Sequence, residues 1–359
     1  MRTVILALLS ALTFNASAQT QTADRVFQFQ HINSSQNFLE VTTLIRTIAD
    51  IQRFTLDEGE KSLGLRGTAS QLKLAEWLFQ QFDQPQFENS SPKSAAVYQY
   101  TMDDGPDHAV EIFSLQAIDR SAENVVRIFY LTNTKTVQMF QEVATLVRTT
   151  ADIRRVFTYN APRAMVVRGT ADQVALAAWL VNAIDQHPEG ESTEYLMPAN
   201  SDPRGDTVVH LFHIANAASI QDFQEIATAV RTIADIRRVF TYNEPRIFVA
   251  RGTADQNVLV QWLVQQLDKP AIGQPGARAV ASSSPYEYPS PVDADHTIRV
   301  FYLHSPTPQE FQQTAAQIRM KTGIRRVFTY NAPRALAVRG TIDQVAMAER
   351  LVKALDEPS

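Results

Sequence analysis

The stretch that decides the fold is RRVFTYNAPRAMVVRGTADQ, at residues 154–173. Residues 154–159 and 164–168 are rich in β-branched and aromatic side chains, and the turn-forming letters NAPR lie between them, which indicates two antiparallel strands. Thr170 is followed three residues later by Gln173, the capping box of a helix start. The stretch therefore predicts a strand hairpin that leads directly into a capped helix.

The central feature of the sequence is that this stretch recurs. Each Arg-Gly-Thr string is followed, 17 residues after its arginine, by an aspartate, and a phenylalanine precedes each arginine by 38 or 39 residues. Four copies in one frame indicate a repeat architecture. The arginine and aspartate pairs are Arg66 with Asp83, Arg168 with Asp185, Arg251 with Asp268, and Arg339 with Asp356.

The second copy shows the order of elements. Residues 126–131 predict a strand, and Phe140, Val143 and Val147 recur with the spacing of an amphipathic helix. Residues 171–184 predict the closing helix. The predicted fold class is α+β, with four tandem β-α-β-β-α modules, each a three-stranded sheet with two helices on one face. Alternation along the strand then turns Val166 to the other face.

Composition changes mark the predicted boundaries, and the first copy is degenerate because DEGEK at residues 57–61 replaces the hairpin turn of the other copies. The predicted division is a signal peptide at 1–18, module 1 at 25–85, a linker with a candidate hairpin at 86–123, module 2 at 124–186, a linker at 187–206, module 3 at 207–269, a Pro/Ser-rich linker at 270–296, and module 4 at 297–357.

These motifs resemble a known family. A strand RIFYL, a helix, the stretch RRVFTYNAPRAMVVRGT and a helix that ends in LVNAID are similar to the short N-terminal domains of secretins, the ring-building, KH-like modules of type II and III secretion systems and type IV pilus machines. Asn160, Arg163 and the strand that ends in Gly169-Thr170 occupy the places of the family's hairpin residues. Asn243 with Arg246 and Asn331 with Arg334 match in the same way.

The resemblance implies an exported array of modules that associate through protein–protein contacts, as an accessory or assembly component of an envelope complex or a stand-alone protein. Family rings form by lateral packing, so self-association is expected. A secretin continues into a large C-terminal pore domain, whereas this sequence stops three residues after Asp356. We therefore expect that the chain is not itself the pore.

Arginine and tyrosine residues recur around the hairpin and are the candidate interaction residues, since interface centres are enriched in both types. Two interpretations stay open. One is forked pairing with the carboxylates of a neighbouring module or an anionic envelope polymer. The other is pairing and packing within each module, or simple solvation of the arginines. The candidates are Arg155, Tyr159, Arg163, Arg238, Tyr242, Arg246, Arg326, Tyr330 and Arg334, with Arg154, Arg237 and Arg325 beside them.

Two further repeated positions each leave alternatives open. Trp77, Trp179 and Trp262 share one register, where the fourth copy has Arg350. Each ring packs on its own module or contacts the adjoining one, and Arg350 would then mark an end of the array. The aspartates near the helix C-termini are disfavoured by the helix macrodipole, so either the helix has ended there or a cation compensates.

Composition and the N-terminus limit the setting. The 359 residues contain 33 Lys and Arg, 38 Asp and Glu, a net charge of −5, and no cysteine, which excludes disulfides, zinc–thiolate sites and thiol nucleophiles. Arg2, an apolar run and Ala16-Ser17-Ala18 predict a signal peptide cleaved after Ala18 and a periplasmic or secreted protein. No later segment predicts a transmembrane helix.

No motif in the sequence supports catalysis, so no catalytic residue, cofactor or metal site is predicted. The seven histidines do not recur in register. Asp103, Asp104 and Asp107 lack the spacing of a calcium loop. No G-x-x-G loop supports nucleic-acid binding.

The sequence thus predicts a non-enzymatic exported protein that mediates protein–protein contacts, either with a protein partner or by self-association. The alternative is a peptidoglycan- or glycan-binding envelope protein.

Overall fold

The computed structural model describes residues 22–85, 98–101, 122–186, 192–270, 282–289, 294–304 and 307–356. These residues form four α+β units, named modules 1–4 in chain order, and each has an antiparallel sheet and two α-helices. The predicted α+β class and the β-α-β-β-α order are confirmed.

Modules 1 and 2 show the common plan. Module 1 contains β1 (Thr22–Gln28), α1 (Ser35–Ala49), β2 (Arg53–Asp57), β3 (Ser62–Thr68) and α2 (Ala69–Phe82). Module 2 contains β4 (Tyr98–Thr101), β5 (Val125–Tyr130), α3 (Val137–Thr150), β6 (Arg155–Tyr159), β7 (Ala164–Gly169) and α4 (Ala171–Val181), which continues into a π-helical turn (Asn182–Gln186).

Modules 3 and 4 repeat the plan of module 2. Module 3 contains β8 (Thr193–Leu196), β9 (Val208–His213), α5 (Ile220–Ala234), β10 (Arg238–Tyr242), β11 (Ile247–Gly252) and α6 (Ala254–Leu267). Module 4 contains β12 (Tyr286–Glu287), β13 (Thr297–Tyr302), α7 (Pro308–Thr322), β14 (Arg326–Tyr330), β15 (Ala335–Gly340) and α8 (Ile342–Leu355).

The sheets differ in one respect from the prediction. Module 1 has the expected three strands in the order β1-β3-β2, but the sheets of modules 2–4 each have a fourth strand, β4, β8 or β12, which pairs antiparallel with the module's first long strand. These strands have four, four and two residues, too few to show a periodic pattern in the sequence. The first arm of the hairpin expected in 86–123 is β4, and its second arm lies outside the described residues.

The Arg-Gly-Thr string starts the second helix of every module, as predicted. Thr68, Thr170, Thr253 and Thr341 each form a capping box with the glutamine three residues later. A Cβ built on Gly169 would lie 2.8 Å from the Gln173 side-chain oxygen, so only glycine leaves room for the cap.

The repeated aspartate closes each module. The Asp185 carboxylate accepts hydrogen bonds from the backbone N–H groups of Thr132 and Asn133, both at 2.9 Å, in the loop after β5. Asp268 binds Ala215 and Asn216 in the same way at 3.0 and 2.7 Å. In three modules the aspartate is the residue that ends the helix. These carboxylates therefore hold the module's first loop against its last helix.

Candidate functional site

The repeated surface of this chain is the interface between successive modules. In module 2, Met165 and Val167 face the module's own helices, as alternation predicts, and Ile128 and Val166 point to the opposite side of the sheet. That opposite side, the sheet face, is not open: it joins one hydrophobic core with residues of module 1. The element that covers it is the first helix of the preceding module, since α1 lies on β6, α3 on β10 and α5 on β14.

The arginine of the Arg-Gly-Thr string binds the end of that covering helix. Arg168 donates through Nη1 to the carbonyl oxygen of Ile48 at 2.9 Å, in the last turn of α1, and through Nε to the carbonyl oxygen of Glu123 at 2.9 Å. Carbonyl groups at a helix C-terminus lack partners within the helix and carry partial negative charge. A guanidinium supplied by the next module therefore caps the helix.

The same cap recurs at the other two interfaces. Arg251 donates to the carbonyl oxygen of Thr150 at 2.6 Å, and Arg339 donates to that of Ile233 at 3.0 Å. The side chain of Arg251 is 2% exposed. The sequence placed Arg168 on the same side of the sheet as Val166 and left contact with a neighbouring module open, but it did not indicate that the group it binds there is the end of a helix.

A second arginine pairs with an aspartate that follows the covering helix. Asp50 ends α1 in the left-handed conformation, with φ of 58°, and Asp152 and Asp235 have φ of 56° and 53° at the same place. Arg155 donates to the Asp50 carboxylate at 2.8 Å, and Arg326 donates to that of Asp235 at 3.0 Å.

The hairpin turn makes the third polar contact. The backbone N–H and the side-chain amide of Asn160 donate to the Glu40 carboxylate at 3.0 and 3.3 Å, and those of Asn331 donate to Glu225 at 2.8 and 3.0 Å. The backbone N–H of Asn243 donates to Glu142 at 3.2 Å. Hydrogen bonds to a carboxylate are stronger than neutral ones, so the turn is firmly attached to the preceding helix.

The candidate tyrosines are buried in these interfaces. Tyr159, Tyr242 and Tyr330 are 1%, 3% and 1% exposed, and the Tyr159 ring lies 5.9 Å from that of Phe82 in module 1. Burial raises the pKa of Tyr242 to about 12, with further contributions from Glu142, Asp185 and Glu244. Burial also raises the pKa of Tyr330 above its ordinary value.

The candidate arginines of the turn belong to their own modules. Arg163, Arg246 and Arg334 have φ of 52°, 53° and 53°, and each carbonyl oxygen accepts a hydrogen bond from the residue after the module's first long strand. The side chain of Arg163 donates to the carbonyl oxygen of Lys135 at 2.7 Å. The structure thus places six of the nine candidates between modules and three within one. As sites for a partner outside the chain, all nine stay a prediction.

The tryptophans also lie between modules. Trp77 of α2 contacts Tyr100 of β4 with ring centroids 5.5 Å apart, Trp179 contacts Tyr195 of β8 at 5.5 Å, and Trp262 contacts Tyr286 of β12 at 5.0 Å. Each tyrosine sits on the strand that joins the sheet of the next module. Each ring therefore contacts the adjoining module, and the cores against which the rings pack combine residues of both modules.

The interface between modules 2 and 3 contains an additional buried ion cluster. Asp202, in the segment before β9, accepts hydrogen bonds from Arg238 at 2.5 Å and from Arg251 at 3.1 Å. Burial alone would raise the pKa of Asp202, but hydrogen bonds from Arg238 and from the Arg204 backbone, with the charges of Arg238 and Arg251, lower it below its ordinary value. The carboxylate is ionised at neutral pH and pairs with two guanidinium groups, the buried one of Arg251 and the partly buried one of Arg238.

One repeated arginine of the hairpin is exposed and has no partner among the residues that the structure describes. Arg154, Arg237 and Arg325 are exposed, and their side chains make no hydrogen bond or ion pair within the described ranges. They occupy the same place in modules 2, 3 and 4, where module 1 has Gln52. We call these three residues the arginine row.

Two clefts of about 530 and 480 Å³ flank the interface between modules 2 and 3. The larger is lined by Asp152, Asp172, Ser201 and Arg251, among others, and no histidine lines either cleft. The Ser201 hydroxyl donates to the Pro198 carbonyl oxygen at 2.7 Å, an acceptor that cannot take its proton as a general base would. Among the described residues, no group of three or more metal-ligand side chains forms a site. Asp103, Asp104 and Asp107 lie outside them.

Comparison with known proteins gives structural matches only. No family model and no curated protein matches the sequence. The chain is similar to Aeromonas hydrophila ExeD, with 15% identity over 64% of this chain and 40% of that chain and a TM-score of 0.16. It is also similar to the N-terminal domain of the secretin XcpQ from Pseudomonas aeruginosa, with 12% identity over 46% of this chain and 62% of that chain and a TM-score of 0.18.

A third match is the type II secretion system secretin GspD of E. coli K12, with 12% identity over 65% of this chain and 39% of that chain and a TM-score of 0.15. The resemblance to secretin N-terminal domains is confirmed as a resemblance. The chain spans less than two thirds of the length of these three structures. Likeness at such low identities and TM-scores carries no argument about activity or partners.

Proposed function

We propose that this chain is an exported, non-enzymatic protein that works through protein–protein contacts, as an accessory or assembly component of a complex in the cell envelope. The predicted signal peptide and the resemblance of the modules support the location. In the described part of the chain, no helix has the length and apolarity needed to span a membrane.

The observation that carries the proposal is the arginine row. Every other arginine of the hairpin that was considered as an interaction residue is used inside the chain, by a helix end, a carboxylate or a turn. Arg154, Arg237 and Arg325 repeat without such a use in the described part of the chain, and three equivalent interfaces place them at equivalent positions. A row of guanidinium groups binds carboxylates through forked hydrogen bonds, so the partner is a protein with a row of acidic side chains.

The test compares three forms of the full chain. One carries Arg154→Glu, Arg237→Glu and Arg325→Glu. The matched control carries Lys73→Glu, Lys135→Glu and Arg204→Glu, which changes the net charge equally at exposed sites outside the row. Each form is cross-linked in the envelope fraction of the producing cell, and captured proteins are identified by mass spectrometry.

We expect one protein to be captured by the wild type and the control and lost from the row variant. Equal capture of that protein by all three forms would overturn the proposal. A second measurement is sedimentation with purified peptidoglycan sacculi. Wild-type chain that captures no protein but sediments with sacculi would establish the peptidoglycan- or glycan-binding alternative instead.

A further inference from the structure

The interface between modules pairs a fixed set of helix residues with a fixed set of sheet residues. On the helix side the buried positions are Val41, Leu44 and Ile48 in α1, flanked by Glu40 and Asp50, which make the polar contacts described above. The equivalents in α3 and α5 are also buried: they are Val143, Leu146 and Thr150, and Ile226, Ala229 and Ile233. We call this set the helix face.

The helix face of module 4 has lost every one of these features. Thr314, Gln317 and Lys321 stand at the three buried positions of α7, and the last two are exposed. Gln313 replaces the glutamate and Gly323 replaces the aspartate, so both carboxylates are absent. Phe311 and Ile318, which face the module's own core, are retained and buried. Both carboxylates and the three buried positions are therefore lost on the side of α7 that would meet another sheet.

The sheet face of module 1 has lost the complementary features. Asp24 stands where module 2 has Val126, and Asp57 and Glu58 stand where it has Tyr159 and Asn160. Ser62 and Gly64 take the places of Ala164 and Val166. Val26 is 70% exposed, whereas its equivalent Ile128 is fully buried. All residues of β2 are exposed.

These two outer faces do not fit each other. Contact between α7 of one copy and the sheet face of another would bury two carboxylates with little compensation, because Asp24 has only a loose ion pair with Arg66 and Asp57 accepts only from the Glu60 backbone N–H. Lys321 would approach Arg66, which stands where Arg168 caps the helix in module 2, and like charges repel. Gln313 and Glu58 are compatible, because an amide can donate to a carboxylate, but this contact does not replace the buried apolar contacts of the other interfaces.

We propose that the sequence of the two outer faces limits the stack to four modules and prevents copies of this chain from joining end to end. Copies that associate must then meet through their flanks. The inference concerns contact between copies only and is independent of the partner of the arginine row.

The test transfers the interface between modules 3 and 4 to the two outer faces. A helix-restored chain carries Gln313→Glu, Thr314→Ile, Gln317→Ala, Lys321→Ile and Gly323→Asp, which are the residues of α5. A sheet-restored chain carries Asp24→Ile, Thr55→Phe, Asp57→Tyr, Glu58→Asn, Ser62→Ala and Gly64→Ala, which are the residues of module 4. Thr55 must change with Gly64, because the Thr55 hydroxyl occupies the place of the new Cβ.

Sedimentation velocity measures the outcome. We expect the wild type to show no end-to-end association, each restored chain to behave as the wild type does, and an equimolar mixture of the two to form a 1:1 complex. Both sets in one chain should give open-ended assemblies, because a head-to-tail contact that does not close continues indefinitely.

Two results would overturn the inference. One is a mixture that stays unassociated although circular dichroism and thermal unfolding show both restored chains to be folded. The other is a wild-type chain in which residues of α7 cross-link to β2 of a second copy. Should a full set prevent folding, the smaller pairs Asp57→Tyr with Glu58→Asn, and Gln313→Glu with Gly323→Asp, restore the polar contacts alone. These pairs should give a weaker complex, and its absence in folded chains counts equally against the inference.

Discussion

The sheets of module 1 and module 2 share three strands in the same order, yet the sheet face is exposed in module 1 and buried in module 2. Arg168 of module 2 donates to two carbonyl oxygens, one of them at the end of α1. Arg66, at the same position in module 1, is half exposed and lies 3.7 Å from Asp24 in a loose ion pair. One residue of one motif is a helix cap in one module and a surface charge in the other, so its role depends on what covers the sheet.

The largest difference in unfolding free energy between the two modules is expected when a charge is placed on each sheet face. Ile128→Asp should destabilise the protein by about 4 kcal/mol, because the carboxylate is buried without a partner. Val26→Asp, at the equivalent position of module 1, should cost about 1 kcal/mol or less, since the side chain stays in water. Urea unfolding followed by circular dichroism measures both values. Equal losses would show that the two faces are covered alike.

A smaller effect is expected from removal of the helix cap. Arg168→Ala should cost about 2 kcal/mol, because it removes charged hydrogen bonds to two carbonyl groups in a partly buried position. Arg66→Ala, its matched control, should change stability by about 0.5 kcal/mol or less, as exposed ion pairs contribute little. The same unfolding measurement applies. A loss of unfolding free energy for Arg66→Ala as large as that for Arg168→Ala would show that Arg66 makes contacts as strong as those of Arg168 and would contradict the comparison.

The smallest expected effect concerns the aromatic pair at the edge of the interface between modules 1 and 2. A double-mutant cycle with Trp77→Leu and Tyr100→Leu should give a coupling energy of about 1 kcal/mol, typical of an aromatic pair. The control cycle of Trp77→Leu with Tyr195→Leu joins residues of different interfaces and should be additive within about 0.5 kcal/mol. Coupling of equal size in both cycles would contradict the pairwise contact.

The module could be predicted from the sequence because the patterns that define its helices and strands are local. A capping box spans four residues, and the helix and strand periods repeat within one element, so Thr170, Gln173 and the run from Phe140 to Val147 could be read without a structure. The fourth strands were missed because β12 has two residues and β4 and β8 have four. Pairing of such short segments depends on the edge of a sheet already formed by other residues.

The sequence predicted only part of the candidate site, because the contacts of that site join residues far apart in the chain. The repeat drew attention to Arg155, Tyr159 and their equivalents, and to the unexplained aspartates at the helix ends. It gave no sign that Asp83 and Asp185 bind backbone N–H groups of a loop more than 50 residues earlier. The sequence does contain a signal for the interface between modules. Glu40 and Asp50 recur in modules 2 and 3 and are absent from module 4, as expected of residues that contact the next module.

The sequence by itself determined the repeated unit, its elements and their caps, because each of these depends on contacts within a few turns of chain. The tertiary structure alone decided whether the second side of each sheet, opposite the module's own helices, is buried. That outcome depends on a helix from another module, more than 100 residues away in the case of α1 and β6, and helix and sheet propensities do not encode such a distant neighbour. The same packing leaves Arg154 in solvent and buries Tyr159, although both belong to one strand hairpin.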